Sequence, residues 1–256
     1  MAKQANKNGY GYGYGYGGYG DNGMFSVQEA YKAIRTNIIL SIIKDGCKKI
    51  VITSANPHEG KSTTSVNVAI SLAQAFKRVL LVDCDLRKAK IHKALGIAGE
   101  PGLTNIISKM ADVEDAVQPT KYSNLFCLPA GLFAPNPAEM LASGRFSELI
   151  TQLEEKFDYI IFDTPPINVV SDALPIIKLS DGVVLIVRSK VSVYSEFEQA
   201  LSALEFIDAR LLGVIVNGYD GSEEDGSRRK YGRYGKYGSY GGYGKSAKAE
   251  APETTE

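Results

Sequence analysis

Ala55-Asn56-Pro57-His58-Glu59-Gly60-Lys61-Ser62 follows directly on the apolar run Lys49-Ile50-Val51-Ile52-Thr53 and opens directly into an amphipathic stretch over residues 62–76. The spacing is that of a phosphate-binding loop, with Ala55 standing where the first glycine usually stands. Backbone N–H groups of such a loop, and of the helix it opens, point at the phosphates. Lys61 adds a positive charge at the β/γ end, and the Ser62 hydroxyl is a magnesium ligand of the expected type. Gly60 lets the backbone come close to the anion. A chance Gly-Lys-Ser at a helix N-terminus would lack the strand before it. Here strand, loop and helix follow one another in the order the chemistry needs.

Outward from the loop, short aliphatic runs alternate with helical patterns. Candidate strands fall at residues 49–53, 79–82, 125–128, 159–162, 183–187 and 212–216. Each has the length and aliphatic density of a strand covered on both faces. Amphipathic stretches fall at residues 62–76, 146–157, 172–178 and 194–207. This alternation predicts an α/β fold with a doubly wound, mostly parallel sheet of the P-loop NTPase type. A further helix over residues 27–43 has no strand before it, so it is expected on the outside of the domain or on a partner.

Two more motifs lie where open α/β sheets bind ligands, at the carboxyl ends of strands. Val79-Leu80-Leu81-Val82-Asp83-Cys84-Asp85-Leu86-Arg87 delivers two carboxylates, and Tyr159-Ile160-Ile161-Phe162-Asp163-Thr164-Pro165-Pro166 delivers a third. One carboxylate at a strand end serves equally well as a helix cap. Three of them on a sheet with a phosphate loop point to a magnesium ion that they surround. Asp85 has an alternative use as the anchor of Arg87. Cys84 reads as an ordinary half-buried thiol. His58 and His92 have no second ligand at metal spacing and read as surface histidines.

Composition sets the boundaries. The chain has 256 residues with 26 Gly, 15 Tyr and no Trp, and its formal net charge is zero, so bulk-charge affinity for nucleic acid is not expected. No apolar run approaches the roughly 18 residues of a membrane-spanning helix, and residues 1–20 have no apolar stretch behind their lysines. Cys47, Cys84 and Cys127 form neither a disulfide framework nor a zinc pattern, as in a reducing cytosol. A soluble intracellular protein is expected. Gly and Tyr concentrate in residues 9–20 and again in 228–245, where Tyr231, Tyr234, Tyr237, Tyr240 and Tyr243 recur every third residue. Neither segment has the aliphatic residues to offset the entropy of ordering glycine. Residues 1–23 and 219–256 are therefore expected to be disordered tails around one domain at 24–218.

Taken together, these motifs resemble the bacterial tyrosine kinases (BY-kinases), specifically the stand-alone cytoplasmic kinases of capsule and exopolysaccharide synthesis. The resemblance spans about residues 25–217 and rests on SANPHEGKST at 54–63, LLVDCDLRKAKIHKALG at 80–96, LPAGLFAPNPAEMLAS at 128–143, FDYIIFDTPPINVVSDA at 157–173 and GVIVNGY at 213–219. It implies that Ala55, Asn56, Pro57, His58, Glu59, Gly60, Lys61, Ser62 and Thr63 bind ATP with Mg²⁺. It also implies that Lys61, Asp83, Asp85 and Asp163 are catalytic, with Ser62, Asp83 and Asp163 at the metal and Asp83 as base for the incoming tyrosine. The five tail tyrosines, interleaved with Arg228, Arg229, Lys230, Arg233 and Lys236, would be phosphoacceptors for a neighbouring subunit. In the family, a helix before the first strand carries a self-association motif, E-x-x-R-x-x-R. Glu29, Lys32 and Arg35 occupy its positions here, so Lys replaces the middle Arg and loses its bidentate fork. Read without the family, the same three residues form a solvated helix face with i,i+3 pairs.

The resemblance further implies a homo-oligomeric ring, a separate transmembrane activator that recruits the chain to the inner face of the cell membrane, and a cognate tyrosine phosphatase. The Gly/Tyr run at 9–20 lies outside the family pattern, and a second phosphoacceptor tail and a purely compositional segment both fit it. The rival function is a positioning or assembly ATPase of the same superfamily without tyrosine kinase activity. Those proteins carry a signature lysine directly after the loop's first residue, where this chain has Asn56 followed by Pro57. Eukaryotic kinase signatures are absent from the sequence.

Overall fold

The computed structural model describes residues 21–219, and their side chains from Val27 onward. The five tail tyrosines and the Gly/Tyr run at 9–20 lie outside these residues. In chain order the elements are α1 (Asp21–Ser41), β1 (Lys48–Ser54), α2 (Lys61–Gln74), β2 (Val79–Asp83) and α3 (Ile91–Leu95). Then come α4 (Leu103–Ile107), α5 (Val113–Ala116), β3 (Gln118–Pro119), β4 (Leu125–Leu128), α6 (Pro137–Leu141) and α7 (Gly144–Glu154). The last are β5 (Tyr159–Asp163), α8 (Ala173–Leu179), β6 (Gly182–Arg188), α9 (Tyr194–Phe206) and β7 (Leu211–Asn217).

The strands form one sheet in the order β3-β4-β2-β5-β1-β6-β7, parallel throughout except for the two-residue β3. β2 and β5 are buried along their whole length, as expected of aliphatic runs covered from both sides. On one face, Ile50 and Ile52 of β1 pack with Ile38 of α1, with Ile42 just beyond its end, and with Val66, Val68 and Leu72 of α2. On the other, Val51 and Phe162 pack with Phe146, Leu149 and Leu153 of α7, Ile176 of α8 and Leu204 of α9. Side chains alternate between faces along a strand, so each run feeds both layers.

The six expected strands and the four expected crossover helices are present, with ends shifted by at most three residues. The region between β2 and α7 holds four short helices and a strand that the sequence pattern did not suggest. Helices of four or five residues complete too few turns to show a 3.6-residue period. Their placement depends on close backbone contact: a Cβ on Gly102 would sit 2.4 Å from the Pro129 carbonyl oxygen.

α1 begins at Asp21, six residues before the expected start, and packs on α2 of its own chain. Arg35 donates to the Ser71 carbonyl at 2.8 Å, and the Ser71 hydroxyl donates to the Tyr31 carbonyl at 3.2 Å. At its far end Arg210 donates to the Ser41 carbonyl at 2.6 Å. Glu29 and Lys32 form an exposed i,i+3 pair at 2.6 Å.

Candidate active site

β1 ends in Ser54, and the chain turns through residues 55–60 into α2. His58 and Gly60 both adopt left-handed backbone, with φ of 68° and 94°. Gly60 has a second constraint, since a Cβ there would lie 2.6 Å from the Asn217 side-chain nitrogen. The first turn of α2 carries no acidic residue and no side-chain cap, which leaves its positive end free for an anion.

Lys61, the first residue of α2, extends its ammonium to Asp85 at 3.0 Å and to Asp163 at 3.9 Å. Burial works to lower the Lys61 pKa, but Asp163 and Asp85 outweigh it and hold the amine above its ordinary value. Asp83 and Asp163 are register partners at the ends of β2 and β5, and both are fully or nearly fully buried. Burial, reinforced by the Asp163 charge, pushes Asp83 up to about 7. Burial raises Asp163 as well, against the opposing pull of Lys61 and of hydrogen bonds from Ser62 and Ser65. The Ser65 hydroxyl donates to Asp163 at 2.9 Å. Three carboxylates thus face one lysine in a low-dielectric pocket, a donor set short of positive charge.

The carboxylates are also held individually. One Asp83 oxygen accepts from the backbone N–H of Lys90 and Ile91 at 3.1 and 3.0 Å, and the other from Asp85 N–H at 3.2 Å. Asp85 accepts from Lys88 N–H at 3.1 Å. Among the described residues no three His, Cys, Asp or Glu side chains converge on a metal-sized position.

The structure corrects two expectations. Arg87 is anchored by Asp172, through paired contacts of 2.7 and 3.1 Å, so Asp85 is left for Lys61. Cys84 is fully buried, and burial raises its thiol pKa well above the ordinary value. Sequence reasoning also missed Ser65, one helical turn from Lys61, and Asn217, whose position at a strand's carboxyl end is the same signal that marked Asp83 and Asp163. The loop's far wall, formed by Arg188, Ser192, Glu196 and Asn217, is built from contacts more than 120 residues apart in sequence, which no local pattern announces.

A family model described as an AAA domain matches residues 47–211. Tyrosine-protein kinase YwqD of Bacillus subtilis is 42% identical over 190 residues, which is 74% of this chain and 80% of YwqD. The kinase domain of the Escherichia coli tyrosine kinase ETK superposes with a TM-score of 0.73 at 28% identity, covering 77% of this chain and 78% of that one. The septum site-determining protein MinD of Pyrococcus horikoshii, in complex with Mg-ADP, superposes with a TM-score of 0.59 at 26% identity over 70% of this chain and 73% of its own. The AAA-domain match takes in the loop and both aspartate motifs, and with the YwqD relationship it makes this chain a member of the bacterial tyrosine kinases.

Proposed function

We propose that this chain transfers the γ-phosphoryl group of ATP to tyrosines on a second copy of itself, with Tyr231, Tyr234, Tyr237, Tyr240 and Tyr243 as the acceptors. The observation that carries the reading is the meeting of Lys61, Asp83, Asp85 and Asp163 at the sheet edge where the phosphate loop enters α2. Residues 55–63 would hold the nucleotide, and Ser62, Asp83 and Asp163 its magnesium. The excess of buried carboxylates over lysine suits a divalent cation. Mg²⁺ bound with ATP supplies charge neutralisation at the phosphoryl oxygens.

The protein's own groups do the rest. Lys61, kept charged by its carboxylate neighbours, offers a fixed cation to the transferring group. A free tyrosine hydroxyl titrates near about 10, so its proton must pass to a base as the oxygen attacks. Asp83, which burial and the Asp163 charge hold above the ordinary carboxylate range in the metal-free protein, is the carboxylate proposed to accept it. Backbone N–H groups from Asp85, Lys90 and Ile91 fix its orientation before the substrate arrives.

In the cell the reading includes a ring in which Glu29, Lys32 and Arg35 contribute to self-association. A transmembrane activator would bring the ring to the inner face of the membrane, and a tyrosine phosphatase would reset the tail. Its output would be control of capsular or exopolysaccharide synthesis and export. The test of geometry mixes two proteins: a Lys61→Met chain with an intact tail, and an active chain lacking residues 219–256. Phosphotyrosine on the Lys61→Met chain is expected. No label at concentrations where the two associate would contradict transfer between subunits.

A further inference from the structure

When the N–H groups of a loop are turned toward an anion, its carbonyls are turned outward and need donors of their own. In this loop the donors are identifiable. Ser54 and Ala55 carbonyls accept from Ile167 and Asn168 N–H at 2.9 and 3.3 Å, and the Asn56 carbonyl accepts from the Ser54 hydroxyl at 2.8 Å. The His58 carbonyl accepts from the Arg188 guanidinium at 3.1 Å, and the Glu59 carbonyl from the Asn217 amide at 2.9 Å. We infer that Arg188 and Asn217 are positioning residues for nucleotide binding, which act by holding the outer carbonyls of the phosphate loop.

The two donors come from a single rung of the sheet. Arg188 and Asn217 are register partners at the ends of β6 and β7, and Ser189 N–H bonds the Asn217 carbonyl at 2.9 Å. Asn217 also spans the junction of loop and helix, since its amide reaches the Thr64 hydroxyl at 3.0 Å while its nitrogen packs against Gly60. The carbonyls they hold belong to His58, which is left-handed at φ 68°, and to Glu59, the neighbour of left-handed Gly60. A non-glycine residue persists in that region only when its surroundings hold it there. A second tie works from the same side: the buried Glu59 carboxylate accepts from Asn56 N–H at 2.8 Å and from the Ser192 hydroxyl. Asn56 N–H is therefore directed to Glu59 and not to a phosphate.

The inference rests on residues 55–63 being the nucleotide loop, and its test separates the two claims. ADP and inorganic pyrophosphate, each with magnesium, are titrated calorimetrically into the full-length wild type, Asn217→Asp and Arg188→Ala, with thermal melting of each protein as a control. Asn217→Asp keeps the shape and removes the donor. Its affinity for both probes is expected to fall about tenfold, and that of Arg188→Ala about threefold, in line with the loss of single hydrogen bonds that leave a carbonyl unpaired. Unchanged ADP affinity in a folded Asn217→Asp protein overturns the proposal. So does an ADP loss with pyrophosphate binding intact, which would place Asn217 at the base instead of behind the loop. If Asn217→Asp fails to fold, Arg188→Ala decides, because its side chain is exposed: unchanged affinity there overturns the proposal. Wild-type protein that binds neither probe would instead strike at the loop assignment itself.

Discussion

The low-dielectric interior, Asp163 and Asp85 oppose the ionisation of Asp83, and the backbone N–H groups of Ile91 and Lys90 favour it. Its native pKa of about 7 stands above the ordinary 3.8. Between those two values the folded protein holds a proton that the unfolded chain has released, so the stability gained from this group is complete below the lower value. It is lost as pH rises through the upper one. Metal- and nucleotide-free protein is therefore expected to lose resistance to urea from about pH 4 to about pH 7, and Asp83→Asn to flatten that slope. Equal slopes in the two proteins would show that Asp83 is not the titrating group. The same substitution removes the proposed base, and tyrosine phosphorylation is expected to fall by about 100-fold or more.

At the scale of elements, the Arg87–Asp172 pair ties the segment after β2 to the start of α8. Asp172 is buried and both its oxygens are held by Arg87, whose own side chain is half exposed. Arg87→Ala leaves a buried carboxylate without its partner. Discounted for solvent screening at the exposed arginine, the expected cost is about 2 kcal/mol, read as a lower urea midpoint. No change would mean that water replaces the guanidinium. This pair also marks the limit of what the sequence made legible. β1, β2, β5 and β6 were readable because a strand buried on both faces must be aliphatic throughout, and the three aspartates because they sit where those runs stop. Partners were not readable. Arg87 and Asp172 lie 85 residues apart, and Thr64 and Asn217 153 apart. Nothing in local composition distinguishes Asp172 from Asp85 as the anchor of Arg87. α1 was legible as a helix but not as a partner of α2, because the bonds that join them, Arg35 to Ser71 and Ser71 to Tyr31, link residues 36 and 40 positions apart.

At the scale of the whole molecule, the charge of the C-terminal sequence predicts a switch. Residues 228–248 carry seven basic residues and no acidic one. Phosphorylation of all five tyrosines would add about −7 to −10 charges and bring this stretch to neutral or acidic. A basic segment is attracted to acidic protein surface or anionic membrane, and a neutralised one loses that attraction. Phosphorylation is thus expected to loosen the assembly. By light scattering, the variant with all five tyrosines replaced by Phe should keep its associated mass after ATP and Mg²⁺ are added, while wild type shifts to smaller species. Identical mass distributions, with only wild type phosphorylated, would remove the switch from the account. Lys32→Glu should weaken association independently of ATP by reversing a charge at the Glu29-Lys32-Arg35 face.

The central claim is that the loop at 55–63 and the aspartates beside it move phosphate onto tyrosine, and one measurement addresses it most directly. Purified wild type and Lys61→Met, matched by circular dichroism, are incubated with ATP and Mg²⁺ and probed for phosphotyrosine, with the modified residues located by mass spectrometry. The account predicts strong labelling of wild type within residues 231–243 and none above background in Lys61→Met. Hydrolysis of ATP by wild type without phosphotyrosine, or labelling that persists in Lys61→Met, would contradict it.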